Sequence, residues 1–408
     1  MNIVHVSPYY APAWAYGGVV RAVYGLASAQ AALGHNVTVL TTDTQSTTKR
    51  FPVLHETING VTVIRCRNKI SALRRLNLSS PFGLGQALRE LQPTPDIIHC
   101  HELRTVENLL VASANRARHI PMIVSPHGTL PHKTGRAVVK RTWDLLFGKS
   151  LARCFSGVLA LTMSEAEMAG DWWSAVLVTP PVINVIPNGV DLPDLYHRQE
   201  LPNNVTLNAF PARNPLAGSY SRSAFKEGLT VLFMGRLHER KGVQLLIPAF
   251  AQANVPNSRL LIVGPDEGML GTLRQLAQTY GISDKVIFTG LLPGALRDQA
   301  LARADIFVLP AVGEGLSIAA LEAMAAGLPV ILTPGCNLPE AETQGAGLIV
   351  ERGSEPLAEA IRGLLTDASK REAMGAAGRR WMAEAFGWPS IADKTVAFYQ
   401  TLHGKSPL

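Results

Sequence analysis

Short apolar runs recur along the chain, each followed by a turn and a longer mixed stretch. In the first half they fall at residues 2–7, 36–42, 61–66, 96–100, 122–125 and 157–161. In the second half they fall at 230–234, 259–263, 285–288, 305–309, 329–333 and 347–351. The runs are nearly continuous in apolar residues rather than alternating, as expected of strands buried on both faces. Helix-like stretches or loops separate most of them. The pattern predicts an α/β protein with parallel sheets covered by helices on both sides. It occurs twice, so two doubly wound domains are expected. The spacing does not encode strand order.

The break between the two repeats lies near Asn188. From 192 to 228 the composition shifts to Pro, Asn, Ser and Arg with little periodicity, as in a linker or long loop. A chain of 408 residues is long enough for two domains. Their expected bounds are 1–189 and 190–387, and 388–403 reads as a terminal helix. The opening residues, Met1 to Pro8, carry no basic leader and read as a first strand rather than a signal peptide. No apolar run reaches the length of a membrane span.

Charge refines this picture. Lys and Arg number 38 against 31 Asp and Glu, a net of +7. Residues 1–180 hold 18 basic and 10 acidic side chains, a net of +8; the rest hold 20 and 21, a net of −1. The excess belongs to the first half. Nucleic acid, a membrane surface and an acidic substrate each account for it. Aromatic residues make up only 6% of the chain, too few to interleave a basic surface with stacking platforms, which disfavours nucleic acid. Cys66, Cys100, Cys154 and Cys336 are scattered, with no Cys-x-x-Cys pair. Neither a zinc site nor a disulfide framework is indicated, and a reducing cytosol is the expected compartment.

The densest candidate chemistry lies at 313–322, Gly-Glu-Gly-Leu-Ser-Ile-Ala-Ala-Leu-Glu. Glu314 falls in a turn and Glu322 about 12 Å further along the helix axis. The N–H groups of Gly315, Leu316 and Ser317 would be free at the helix N-terminus and, with the dipole, make an anion site. A phosphate there has one carboxylate close by and another two turns down, which suits a nucleotide diphosphate sugar. Taken alone, the two glutamates also fit a helix start and a solvated face. Upstream, Gly235-Arg-Leu-His-Glu-Arg-Lys-Gly242 puts Arg236 and Lys241 on a strand-to-helix loop. Two cations there can neutralise a leaving diphosphate, and Arg240 competes for the role. Gly17 and Gly18 precede a helix with Arg21 in its first turn, where either a phosphate approaches the backbone or a plain turn forms. His99, His101 and Glu102 end one strand-like run, and His127-Gly128 follows another. Such positions face the crevice at the carboxyl ends of a parallel sheet. Two histidines and a carboxylate are a conceivable metal set, and they also arise in any strand-to-loop turn. His127 alone fits a structural hydrogen bonder. Glycine turns at 263–268 and 288–293, around Gly264 and Leu291, close two further runs.

The glycine loop at Gly17-Gly18, His127-Gly128, Gly235-Arg236 with Lys241-Gly242, and Glu314 with Glu322 stand in the order found in family 4 of the glycosyltransferases. The chain resembles that family over nearly its whole length. The resemblance implies the GT-B fold, two Rossmann-like doubly wound parallel-sheet domains facing a central cleft, with the terminal helix returning to the first. It implies an acceptor-binding first domain and a donor-binding second one. It puts Glu314 at the transferred sugar, Glu322 at the ribose and His127 beside the reacting sugar. His127 would hydrogen-bond a sugar hydroxyl or the acceptor rather than act as a nucleophile. Gly17, Gly18, Arg236, Lys241, Gly315, Leu316 and Ser317 become donor contacts, and the loops holding Gly264 and Leu291 enclose the base. Arg21 and, on the acceptor side, His101 are further candidates. The chain departs from the family at Glu314-Gly-Leu-Ser317, where many members have Glu-Gly-Phe-Gly.

No Asp-x-Asp, Walker A, Gly-x-Ser-x-Gly or Gly-x-Gly-x-x-Gly sequence occurs. Charge neutralisation then falls to Arg236, Lys241 and helix N-termini, with no metal cofactor. The expected function is retaining, metal-independent transfer of a hexose-type sugar from a nucleotide diphosphate sugar. The acceptor would be a glycan or a polyprenyl- or lipid-linked one, in cell-surface polysaccharide or glycolipid synthesis. A nucleotide-sugar epimerase on the same fold and a non-catalytic sugar-nucleotide binder are the alternatives. The expected location is cytoplasmic. Peripheral docking on an anionic inner membrane face is a further expectation, because a helix drawn through 133–153 puts Lys133, Arg136, Lys140, Trp143 and Phe147 on one side. A solvated helix with two core aromatics fits the same pattern.

Overall fold

The computed structural model describes residues 1–70, 79–131, 137–192, 228–292 and 294–402. The chain divides into two compact units. One is Met1–Gly189 together with the segment that begins at Trp388; the other is Val190–Gly387.

The first unit holds β1 (Asn2–Val6), β2 (Asn36–Thr42), β3 (His55–Ile58), β4 (Val61–Asn68), β5 (Pro81–Phe82), β6 (Ile97–His101), β7 (Met122–Ser125), β8 (Gly157–Ala160) and β9 (Val182–Val185). Their order in the sheet is β3-β4-β2-β1-β6-β7-β8-β9, with β5 on β4. The inner strands are the apolar runs: β6, β7 and β8 are buried at every residue. Only β3 and β5 run antiparallel, both against β4, so the sheet is mixed rather than wholly parallel. The edge strands β3 and β9 alternate between exposed and half-buried residues. A strand with a wet side needs no continuous apolar run, so the rule that finds inner strands passes over these two. The helix Trp388–Leu402 packs on the helix Gly18–Ala32. Gly25 and Gly189 leave room for the Trp388 indole, which a Cβ would meet at 2.1 and 2.3 Å.

The second unit holds β10 (Leu229–Met234), β11 (Ser258–Val263), β12 (Val286–Gly290), β13 (Ile306–Leu309), β14 (Val330–Leu332) and β15 (Gly347–Ile349), all parallel, in the order β12-β11-β10-β13-β14-β15. Strand order reverses between β10 and β13 here, and between β1 and β6 in the first unit. At such a switch point the two neighbouring connections leave in opposite directions, so the loops at the carboxyl ends flank an open crevice. The loops after β10 and β13 carry Arg236, Lys241 and Glu314. Those after β1 and β6 carry Gly17 and Glu102.

No described helix is long and apolar enough to cross a membrane. The segment from Ala137 is α-helical to Trp143, π-helical over Asp144–Gly148 and α-helical again over Lys149–Ala152. The wider π spacing rotates later residues away from a register drawn at 100° per residue. Of the residues on the expected face, only Phe147 lies in the π-helical stretch. Trp143 and Phe147 pack on each other with ring centroids 5.1 Å apart. Val138, Val139, Leu145, Leu146 and Phe147 are exposed, Leu145 at 86%. Lys133 and Arg136 of the expected face lie outside the described residues.

Candidate active site

In the second unit, β10 runs into a short 3-10 turn, Glu239–Lys241, capped by His238, whose ring accepts from the Arg240 N–H. Gly242 ends the turn at φ +76, and a Cβ there would lie 2.1 Å from the Pro310 carbonyl oxygen. Only glycine lets this loop lie against the end of β13. Two contacts then zip the loops together: the Val312 N–H donates to the Arg240 carbonyl at 2.7 Å, and the Arg240 guanidinium donates to the Gly313 carbonyl. Arg240 thus braces the loop through both its backbone and its side chain. The Lys241 Nζ donates to the Glu314 Oε2 at 2.7 Å, with the two side chains 18% and 16% exposed.

The backbone of Glu314 is held from the other side. Its N–H donates to the Gly335 carbonyl at 2.8 Å, and the Asn337 amide donates to its carbonyl. Ser317 caps the helix Ile318–Ala325 by accepting from the Ala320 N–H. The N–H groups of Gly315, Leu316 and Ser317 make no hydrogen bond to other described residues. An ammonium and three N–H groups around one turn suit an anion with more than one charge.

Two of the expected donor residues carry ion-pair partners. The Arg236 Nη1 lies 2.8 Å from the Glu267 Oε1 in an exposed ion pair. Glu322 pairs with Arg297, a cation the motifs did not single out; Arg297 is 9% exposed on the helix Gly294–Arg303. Gly264 has a structural reason to be glycine, because a Cβ there would fall 1.8 Å from the Gly235 carbonyl oxygen. Leu291 is exposed.

In the first unit, Gly17 at φ +90 leads into the helix that starts at Gly18, and the Arg21 guanidinium lies over the Trp14 ring at 5.2 Å. The His127-Gly128 turn has positive φ at both residues, +51 and +74. Its anchor is Glu165, fully buried, whose two oxygens accept from the N–H groups of Gly128 at 2.5 Å and Leu161 at 2.8 Å. Thr162-Met-Ser-Glu165 has the spacing of a capping box. The structure keeps half of it: Thr162 accepts from the Glu165 N–H, while the carboxylate turns away to the His-Gly loop.

His127 meets His101, Nε2 to Nδ1 at 3.0 Å. His101 is 1% exposed and its other nitrogen bonds His5, so both of its ring nitrogens are engaged within the first unit. The residue sits inside the sheet layer instead of at the rim where the strand end suggested. The conceivable metal set also changes. His5, His99 and His101, not Glu102, bring ligand atoms within 4.8 Å of one another. All six of their ring nitrogens are already hydrogen-bonded, to Gln30, Tyr399, Ser125, His127 and each other. Burial holds His99 and His101 well below the usual imidazole range and pushes His5 and His127 down to about 4. At neutral pH the cluster is uncharged.

Comparison with known proteins places the chain in a family. Residues 16–193 match the model described as Glycosyltransferase Family 4, and residues 221–381 match that of Glycosyl transferases group 1. A GDP-mannose-dependent alpha-(1-6)-phosphatidylinositol monomannoside mannosyltransferase of Mycobacterium tuberculosis is 34% identical over 69% of this chain and 82% of its own. A GDP-mannose:cellobiosyl-diphosphopolyprenol alpha-mannosyltransferase of Xanthomonas oryzae pv. oryzae is 28% identical over 89% of this chain and 87% of its own. Among solved structures, sucrose-phosphate synthase of Thermosynechococcus elongatus superposes with a TM-score of 0.72, covering 98% of this chain and 99% of its own at 20% identity, which establishes the GT-B fold. With sheets, switch-point loops and sequence in agreement, the chain belongs to glycosyltransferase family 4 and is a glycosyltransferase that uses a nucleotide sugar.

Proposed function

We propose that the protein moves mannose from GDP-mannose onto a lipid-linked acceptor, with retention of anomeric configuration and without a metal. The observation that carries this reading is the Lys241–Glu314 pair beside the N–H groups of Gly315, Leu316 and Ser317, which have no partner among the described residues. It supplies positive charge for a diphosphate and a carboxylate for a sugar hydroxyl in one turn. The donor and the acceptor class follow the relatives, two of which are GDP-mannose-dependent and act on phosphatidylinositol- or polyprenol-linked substrates by name. The second unit takes the donor and the first the acceptor. Glu322 serves the ribose together with Arg297, and His127 a sugar hydroxyl.

In the reaction, the bond from the sugar C1 to the β-phosphate oxygen breaks. A bond from C1 to the acceptor oxygen forms on the same face. The acceptor proton passes to the departing phosphate oxygen, so no side chain need act as base. Lys241, Arg236 and the helix N-terminus meet the charge that develops on GDP. The missing Asp-x-Asp sequence, together with this cationic loop, supports metal independence. Release of an isomerised nucleotide sugar, the epimerase alternative, has no support among transferase relatives.

The lipid-linked acceptor suits a surface that visits membranes. Exposed Val138, Val139, Leu145 and Leu146 stand beside exposed Arg141 and Lys149. An apolar patch with a cationic border fits shallow docking on an anionic bilayer.

A thermal-shift panel tests the donor. A ligand at 100 times its dissociation constant stabilises the fold by about 2.7 kcal/mol. GDP and GDP-mannose should raise the midpoint more than UDP or UDP-glucose at equal concentration. A larger shift with the uridine nucleotides would overturn the guanine assignment.

A further inference from the structure

The first unit contains a continuous chain of buried polar side chains that ends at His127. The Gln30 Oε1 lies 2.7 Å from the His5 Nε2, the His5 Nδ1 lies 2.9 Å from the His101 Nε2, and the His101 Nδ1 lies 3.0 Å from the His127 Nε2. On the other side of Gln30, its Nε2 donates to the Tyr399 hydroxyl at 3.3 Å. That hydroxyl lies 2.7 Å from the His99 Nδ1, and the His99 Nε2 lies 2.8 Å from the Ser125 Oγ. His5, Gln30, His99 and Tyr399 are fully buried, and His101 and Ser125 nearly so.

The chemistry of each group fixes the next. An amide oxygen only accepts, so the His5 Nε2 carries the proton facing Gln30. A neutral imidazole carries one N–H, which leaves the His5 Nδ1 bare. Its contact with His101 then requires the proton on the His101 Nε2. The same step repeated leaves the His101 Nδ1 bare and puts the proton on the His127 Nε2. The His127 Nδ1 has no partner among the described residues. In the other direction the Tyr399 hydroxyl accepts from Gln30 and donates to the His99 Nδ1, and the His99 Nε2 donates to Ser125. Every donor in the chain points one way. Turning the Gln30 amide over would reverse all of them together.

We propose that Gln30, His5 and His101 are positioning residues that hold His127 in the Nε2–H tautomer, so that its bare Nδ1 accepts a hydrogen bond from a substrate hydroxyl. The second half of this statement rests on the reading of His127 as a sugar contact; the first half does not. Apolar side chains at 5 and 101 would fill the same space without the cost of burying polar atoms. A buried polar chain holds its direction when its inner members are satisfied, and here every member between His127 and Ser125 is bonded on both sides. Burial keeps the imidazoles neutral, as the single-proton argument requires. Tyr399 belongs to the final helix and Gln30 to the first, so the returning C-terminal helix supports the amide that sets the direction.

The test is long-range imidazole ¹⁵N–¹H correlation on the full-length protein labelled at histidine, at pH 7 and without substrate, with resonances assigned by single substitutions. His5, His101 and His127 should all show the Nε2–H pattern. Gln30→Leu should turn His127 into an exchange-averaged mixture of tautomers and lower kcat about tenfold, the worth of one hydrogen bond, with the donor KM unchanged. His101→Phe cuts the chain directly and should do the same if Gln30→Leu does not fold. An Nδ1–H pattern at any of the three, or stoichiometric metal bound to His5 and His101, would overturn the proposal. So would a His127 spectrum that neither substitution alters. The predicted tautomers together with wild-type turnover by His127→Ala would instead overturn the sugar contact alone.

Discussion

The Lys241 ammonium lies 2.7 Å from the Glu314 carboxylate, although 73 residues separate them in the chain. They meet because β10 and β13 are neighbours at the strand-order reversal, and their loops leave the same end of the sheet. Lys241→Ala removes the cation and leaves Glu314 in place beside the proposed anion site. Nucleoside diphosphate affinity should fall at least about tenfold, since a charge-assisted contact is worth roughly 1.5–3 kcal/mol. Isothermal calorimetry with GDP reads this, and an unchanged dissociation constant would take Lys241 out of the site.

Arg297 and Glu322 form a second pair, 11% and 14% exposed at the side chains. Each single change takes one partner from a mostly buried charge, and the double change removes both charges. A double-mutant cycle with Arg297→Met and Glu322→Gln, followed by urea unfolding, should give a coupling of at least about 0.5 kcal/mol. Additive effects would mean that the two side chains act independently.

The histidine cluster predicts a pH dependence. His5 is fully buried, and burial pushes its pKa from the ordinary 6.5 to about 4. Between these values the unfolded chain binds a proton that the folded chain does not. Stability is therefore full above pH 6.5 and falls as the pH drops toward 4, by up to about 1.4 kcal/mol per unit for this one group. His99 and His101 act in the same direction. Glu107 and Glu165, whose pKa values burial raises, act in the opposite one. Comparison with His5→Gln isolates His5: between pH 6.5 and 4.5 the urea stability of the wild type should fall more steeply than that of the variant. Parallel slopes would mean that His5 is charged in the fold.

The inner strands were legible because a doubly covered strand must be apolar throughout, as Ile97, Ile98 and Met122 to Val124 are. Edge strands such as His55–Ile58 were not, because one wet side breaks the run. The loops around Gly235, Lys241 and Glu314 were legible as a spaced pattern, yet their meeting depends on strand order, which no local pattern carries. Glu165 was hidden by its resemblance to a capping glutamate, and Arg297 by standing alone on an ordinary helix. His5 did leave a trace: one polar residue inside the apolar run Ile3-Val-His-Val6. A buried polar side chain there needs partners, but Gln30 and Tyr399, 369 residues apart, become partners only in the folded unit.

Membrane docking predicts a simple partition. Leu145 and Leu146 are exposed on the segment after Trp143, with Arg141 and Lys149 beside them. In liposome flotation the wild type should bind vesicles containing anionic lipid at low salt and lose them at high salt, where the Debye length is only a few Å. Leu145→Ser with Leu146→Ser should weaken binding while leaving the fold intact. Equal flotation of both proteins, or none at low salt, would favour an acceptor free in solution.

The most direct measurement is the anomeric configuration of the product. Purified protein would be given GDP-mannose and a polyprenyl-diphosphate-linked or phosphatidylinositol-linked glycan, with chelator present, and the new linkage read by proton NMR beside a Glu314→Gln control. The account predicts a mannosyl product with the donor's own anomeric configuration, formed despite the chelator, and almost none from the folded Glu314→Gln variant. An inverted linkage, activity restored only by added manganese or magnesium, or near wild-type turnover by Glu314→Gln would contradict it.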